Sequence, residues 1–92
     1  MLIAKEDLGR LRQEIERIDR ALVGLIRERV RVARLVGQVK EAAGLPVVDP
    51  AQESTVIDRS TTLAQAAGLP PDEIGDLFAR VVAMSRKAEL GS

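Results

Sequence analysis

The chain has no cysteine, no histidine, no tryptophan and no tyrosine, and Phe78 is its one aromatic residue. Each absence removes a class of chemistry. Without cysteine there is no thiol nucleophile, no disulfide and no zinc–thiolate site. Without histidine there is no imidazole base and no histidine-ligated metal, so a Ser-His-Asp triad is excluded. The acidic residues are scattered along the chain, and neither a metal nor a cofactor is expected. No apolar run approaches the length needed to cross a bilayer, and the start lacks the pattern of a secretory leader. The expected compartment is the cytoplasm, with no membrane partner. Lys/Arg runs and stacking aromatics are missing as well, so nucleic acid is not an expected partner.

What remains is a helical composition. The 92 residues suit a single domain spanning 1–92, with no Pro/Gly/Ser-rich linker to divide it. Leu, Ala, Arg and Glu dominate, and apart from Val and Ile the strand formers are scarce. Fourteen basic residues balance fourteen acidic ones, yet the balance is uneven. Between Lys5 and Ala43 there are ten basic and seven acidic residues; elsewhere the acids are in excess. A mildly positive first segment suits a small anionic ligand.

That segment also carries an unbroken heptad register. Leu11, Ile15, Ile18, Leu22, Leu25, Arg29, Val32, Val36, Val39 and Ala43 alternate in steps of four and three. No proline interrupts it, and Gly9, Gly24 and Gly37 are single glycines costing about 1 kcal/mol each relative to alanine. Gly44, followed by Leu45-Pro46, supplies the stop. A helix over 5–43 would be about 58 Å long, whereas a compact chain of this size has a radius of gyration near ~12 Å. The remaining residues cannot cover such a rod. A second copy of the chain is therefore expected along its apolar stripe, unless the rod breaks into two helices near Gly24.

Two shorter helices are predicted after it. Asp49-Pro50-Ala51-Gln52 opens the first, with Asp as N-cap, Pro at N1 and Gln closing a capping-box-like pair. Its inner stripe is Val56, Ser60, Leu63 and Ala67, flanked by Ile57 and Ala64, and Gly68 ends it. Pro70-Pro71-Asp72-Glu73 begins the next, whose buried face is Ile74, Leu77, Phe78, Val81, Ser85 and Ala88. The expected fold is all-α: three helices per chain, one of them very long, in an intertwined homodimeric bundle.

Several polar residues break these stripes. Arg29 occupies a heptad position that ordinarily holds Leu or Val, and burying an unpaired guanidinium costs several kcal/mol. Lys40 lies eleven residues on, about 20° around the helix and ~16 Å along it, so both cations overlook one strip of space. Glu53 sits one turn before Val56 on the inward side, and Ser85 and Glu89 continue the line from Phe78 and Val81. Each alone could be an ion-paired or snorkelling edge residue; together they outline a polar pocket inside a bundle.

In this order and length the residues resemble the all-helical (AroQ-class) chorismate mutase family. The resemblance runs from Leu11 to Glu89. It is carried by Leu11-Arg12 with Ile15, Ile18 and Asp19, Glu28-Arg29, Gly37 with Lys40, Gly44-Leu45-Pro46-Val47, Asp49-Pro50, Glu53, and Leu77-Phe78 before Ser85. The resemblance implies an isomerase of aromatic amino acid biosynthesis that rearranges chorismate to prephenate. Arg12 and Arg29 would hold the two substrate carboxylates, with Ser85 assisting. Lys40 would reach a carboxylate and the ether oxygen. Glu53 and the backbone near Asp49 would hold the ring hydroxyl, and Glu89 would contact the ether oxygen from the other side. Arg12 lies about 25 Å from Arg29 along one rod, so it would come from the second subunit. Family members also occur fused to other shikimate-pathway enzymes, so docking on such an enzyme is a further expectation.

Two positions depart from the family's pattern. Gln52 stands where an arginine is common, which keeps open a chorismate relative as substrate: an amino-substituted chorismate, or an isochorismate losing pyruvate. A non-catalytic helical dimerisation or regulatory domain is the other alternative; it explains the heptads but not Arg29 and Lys40. Glu89 stands where glutamine is frequent. An ionised carboxylate only accepts hydrogen bonds and would repel the ether oxygen, so Glu89 helps when protonated. Activity is expected to rise toward acidic pH, and Glu89→Gln to flatten the profile. A variant profile identical to the wild type removes Glu89 from the mechanism.

Overall fold

A computed structural model describes residues 5–91; the ends of the expected domain, residues 1–4 and 92, lie outside the described residues. The fold is all-α. Helix α1 runs Lys5–Ala42, α2 Pro50–Ala66 and α3 Pro71–Glu89, and no strand occurs among the described residues. The first helix does not break at Gly24: it is one rod of 38 residues. The chain accordingly measures 60 × 24 × 15 Å, with a radius of gyration of 17.4 Å, well above the ~12 Å of a compact chain of this length.

The helix ends follow from local chemistry. Gly44, at φ 68°, closes α1. The Leu45 N–H reaches back to the Lys40 carbonyl at 2.8 Å, and the Gly44 N–H to that of Glu41 at 3.1 Å. Gly68, at φ 72°, repeats this pattern at the end of α2, with Leu69 donating to Ala64 and Gly68 to Gln65. At the start of α2 the extended Asp49 accepts the Gln52 N–H on Oδ1 at 3.1 Å, and Pro50 fills N1, where no N–H is needed. Helix α3 has no side-chain cap; Pro71 and the acids Asp72 and Glu73 in its first turn suit the positive end of its dipole.

Helices α1 and α2 each pack on α3 and not on each other. The crossings are made by small residues. Ala33 and Gly37 are the buried positions of α1, and Gly75, Val82, Ser85 and Ala88 those of α3. A Cβ on Gly37 would stand 2.2 Å from the Glu89 carbonyl oxygen and 2.7 Å from its Cα, so the two backbones meet there. On α2 the buried line is Val56, Ser60 and Ala64.

Within one chain only part of the expected core is covered. Leu63 and Leu77, assigned to inner stripes, are 59% and 57% exposed, and Ala67 is exposed too. Ala64 and Val82 take the buried positions instead. A three-helix layer covers only the narrow lines where its helices cross. Close crossings select small side chains, so larger apolar residues flank them. The heptad row of α1 is likewise uncovered within one chain: Ile15 and Leu25 are 58% and 68% exposed.

Gly24 and Gly37 look alike in the sequence but differ in surroundings, since a Cβ at Gly24 meets nothing within 4 Å. Gly24→Ala is expected to stabilise the protein by about 1 kcal/mol. Gly37→Ala should destabilise it by about 1–3 kcal/mol, because overpacking outweighs the gain in helix propensity. Thermal unfolding of the two variants side by side checks this; equal shifts of the same sign would contradict the crossing described.

Candidate functional site

A cleft of about 550 Å³ opens between α1 and α2, floored by α3, within the size range of small-molecule sites. Helix α1 contributes Arg29 and Lys40, on the strip the spacing predicts, with Val32, Ala33 and Val36 between them. Helix α2 contributes Gln52, Glu53 and Arg59, with Asp49 at its mouth. The floor is Val82, Ser85, Arg86 and Glu89. Six of the seven sequence-predicted site residues thus line one cleft. Arg12 does not: it is exposed, seventeen residues up the same rod.

The floor and the α1 wall are joined by directional contacts. Arg29, half-buried, donates from Nη1 to Ser85 Oγ. Lys40 donates to the Val47 carbonyl at 3.0 Å, and its Nζ lies 3.6 Å from Glu89 Oε2. Both side chains of that pair are largely shielded, at 21% and 18% exposure. Their meeting follows from Gly37: the glycine that lets α3 touch α1 lies one turn before Lys40 and against the Glu89 backbone. Asp49 uses one oxygen of its carboxylate to cap α2.

Two cleft cations were not singled out in the sequence. Arg86 reaches from α3 to α2 and forks onto Glu53, with Nη2 at 2.6 Å from Oε1 and Nε at 2.9 Å from Oε2. The side chain of Arg59, six residues after Glu53, makes no ion pair or hydrogen bond with the described residues. Arg86 adjoins Ser85, which is a weak signal. Its partner is 33 residues away on another helix, so periodicity within one helix could not reveal the pair.

The hydrogen bonds from Arg86 hold the Glu53 carboxyl below the usual carboxylate range. Partial burial opposes this, the charges of Arg86 and Lys40 add to it, and nearby Asp49 works against it. In turn Glu53 raises the Arg86 guanidinium. Altogether four cations and three carboxylates line the cleft. Among the described residues no three acidic side chains converge as a cation site would require, and no helix is long and apolar enough to cross a membrane.

Fold and site together define an all-helical protein with a net cationic cleft sized for a small organic anion. The sequence profile of the family described as chorismate mutase type II matches residues 11–90, and the chain belongs to that family. It is 36% identical over 83 residues to the T-protein of Enterobacter agglomerans, covering 90% of this chain and 22% of that protein. It is 35% identical over 60 residues to the chorismate mutase of Methanocaldococcus jannaschii, covering 65% and 61% of the two chains. It is also 28% identical over 74 residues to the 4-amino-4-deoxychorismate mutase of Streptomyces venezuelae, covering 80% and 72%. The chain spans about a fifth of the length of the T-protein it matches.

Glu53 stays ionised in the folded protein at pH values where the unfolded chain takes up a proton. Its pairing therefore stabilises the fold above the ordinary carboxylate pKa, and that contribution is lost as pH falls through the depressed value. The difference in melting temperature between wild type and Glu53→Gln should be largest near neutrality and shrink well below about pH 4. A pH-independent difference would mean that charge is not its origin.

Proposed function

We propose that the chain is a chorismate mutase: a cytoplasmic, homodimeric isomerase that rearranges chorismate to prephenate in aromatic amino acid biosynthesis, without metal or cofactor. The observation that carries this reading is the meeting of Arg29 and Lys40 with Ser85, Glu53 and Glu89 in one cleft of ligand size. The charge count supports it. In one chain the cleft is lined by four basic and three acidic residues, and a doubly negative guest would be held better by one more cation. Arg12 from a second copy would supply it. The uncovered heptad row of α1, with Leu11 50% and Ile18 44% exposed, is the surface on which such a copy would lie.

The reaction asks little of the side chains beyond placement and charge. One carbon–oxygen bond breaks as one carbon–carbon bond forms within the same molecule, and no proton must move. Arg29, steadied by Ser85, and Arg12 of the second copy would hold the two carboxylates and fold the flexible dianion into a compact, chair-like shape, an orientation effect. Lys40 would favour the negative charge that grows on the ether oxygen as its bond stretches. Glu53, with the backbone near Asp49, would accept the ring hydroxyl. Glu89 would face the ether oxygen across from Lys40, whose Nζ lies 3.6 Å from Oε2. Family relatives that are parts of longer proteins support a further reading, that this unit docks on another shikimate-pathway enzyme.

Lys40→Ala is expected to lower kcat by roughly 10²–10³ while the protein stays helical and dimeric; near-normal turnover contradicts the assignment. Arg12→Ala should also be nearly inactive by itself. Unfolding the two variants together and refolding them should restore roughly a quarter of wild-type activity, because half the random dimers would contain one intact site. No recovery in dimers shown to have mixed would mean that Arg12 acts within its own chain or not at all.

A further inference from the structure

Among the cleft cations, Arg86 alone is engaged with a protein carboxylate through more than one hydrogen bond. Its fork crosses from α3 to α2 and takes both oxygens of Glu53, at 2.6 and 2.9 Å. We propose that Arg86 is a specificity-determining residue: by neutralising Glu53 in place, it suits that end of the cleft to a substrate hydroxyl and sets it against a protonated amine. This rests on the proposed function and deepens it, since it selects among chorismate-like dianions.

A carboxylate offers about four lone-pair directions; the fork occupies some and leaves others for an O–H donor. A free carboxylate would instead attract an ammonium, because charge-assisted hydrogen bonds are roughly twice as strong as neutral ones. An amino-substituted chorismate carries the same two carboxylates, with an amine in place of the ring hydroxyl. That amine is protonated near neutral pH. Beside Glu53 it would meet a carboxylate already bound, with the Arg86 guanidinium next to it. The other charged groups lining the cleft do not reverse this. Lys40 and Arg29 from α1 and Arg59 from α2 are cationic, while Asp49 is engaged in capping α2 and Glu89 lies beside Lys40. The question is a real one for this family, which includes a relative named as a 4-amino-4-deoxychorismate mutase.

The test compares kcat/KM for chorismate and for 4-amino-4-deoxychorismate in the intact wild type, Arg86→Gln and Arg86→Lys. Glutamine can still donate to Glu53 but has no charge; lysine keeps the charge. Arg86→Gln should reduce the preference for chorismate by about ten-fold, a modest figure because the pair is partly exposed, and Arg86→Lys should retain most of it. A carbon-13 titration of the Glu53 carboxyl in the unliganded protein, assigned with Glu53→Gln, tests the fork separately. The midpoint should rise in Arg86→Gln and stay low in Arg86→Lys. An unchanged preference in Arg86→Gln despite a raised midpoint overturns the specificity role, as does a wild type that favours the amine. Turnover of neither compound by the wild type overturns the proposed function and this inference with it, a result distinct from unaltered selectivity.

Discussion

The backbone contact between Gly37 of α1 and Glu89 of α3 is the constraint on which the cleft depends. Two helices carrying ordinary side chains at a crossing lie about 8–10 Å apart between axes. Here a missing Cβ lets the Glu89 backbone sit where that atom would be. The approach brings the end of α3 under the Arg29–Lys40 wall. Glu89 then comes within ion-pair range of Lys40, and one turn earlier Ser85 lies beneath Arg29. Helix α2 joins through its own contact with α3, where Gly75 faces Thr61. The two walls of the cleft are therefore held by one central helix, and none of its polar groups needs α1 and α2 to touch.

Electrostatics then sorts the charges. On the exposed half of α1, cations pair with acids three or four residues away, as Arg17 does with Glu14 and Arg20 with Glu16. Such rungs support a long helix in water. In the cleft the pattern changes: pairs form between helices, and the Arg59 side chain has no partner among the described residues. A surplus of positive charge in a concave, partly shielded place suits an anionic guest more than it suits stability.

Much of this was legible in advance. The four-and-three spacing from Leu11 to Ala43 marked a single long rod, and the structure has one. Gly44, Gly68 and the Asp49-Pro50 pair marked helix ends, because their chemistry acts over a few residues. The inward positions of Arg29, Lys40, Glu53, Ser85 and Glu89 could be read from helical phase. Which apolar residues become core was less legible. Within one chain Ala64 and Val82 occupy the crossings, while Leu63 and Leu77 of the expected inner stripes stay exposed. Phase marks a face of a helix; it does not mark the height at which another helix crosses it.

By itself the amino-acid order determined what depends on neighbours in the chain: helix lengths, caps, the continuity of the rod, and the excess of apolar surface along it. Only the tertiary structure decided which of three similar glycines is indispensable, and that Arg86 would find Glu53 across 33 residues. The reason is range. Backbone propensity and capping act within a turn or two, whereas a close crossing or an interhelical fork depends on how α3 is seated between the other two helices. That seating is a property of all three surfaces at once.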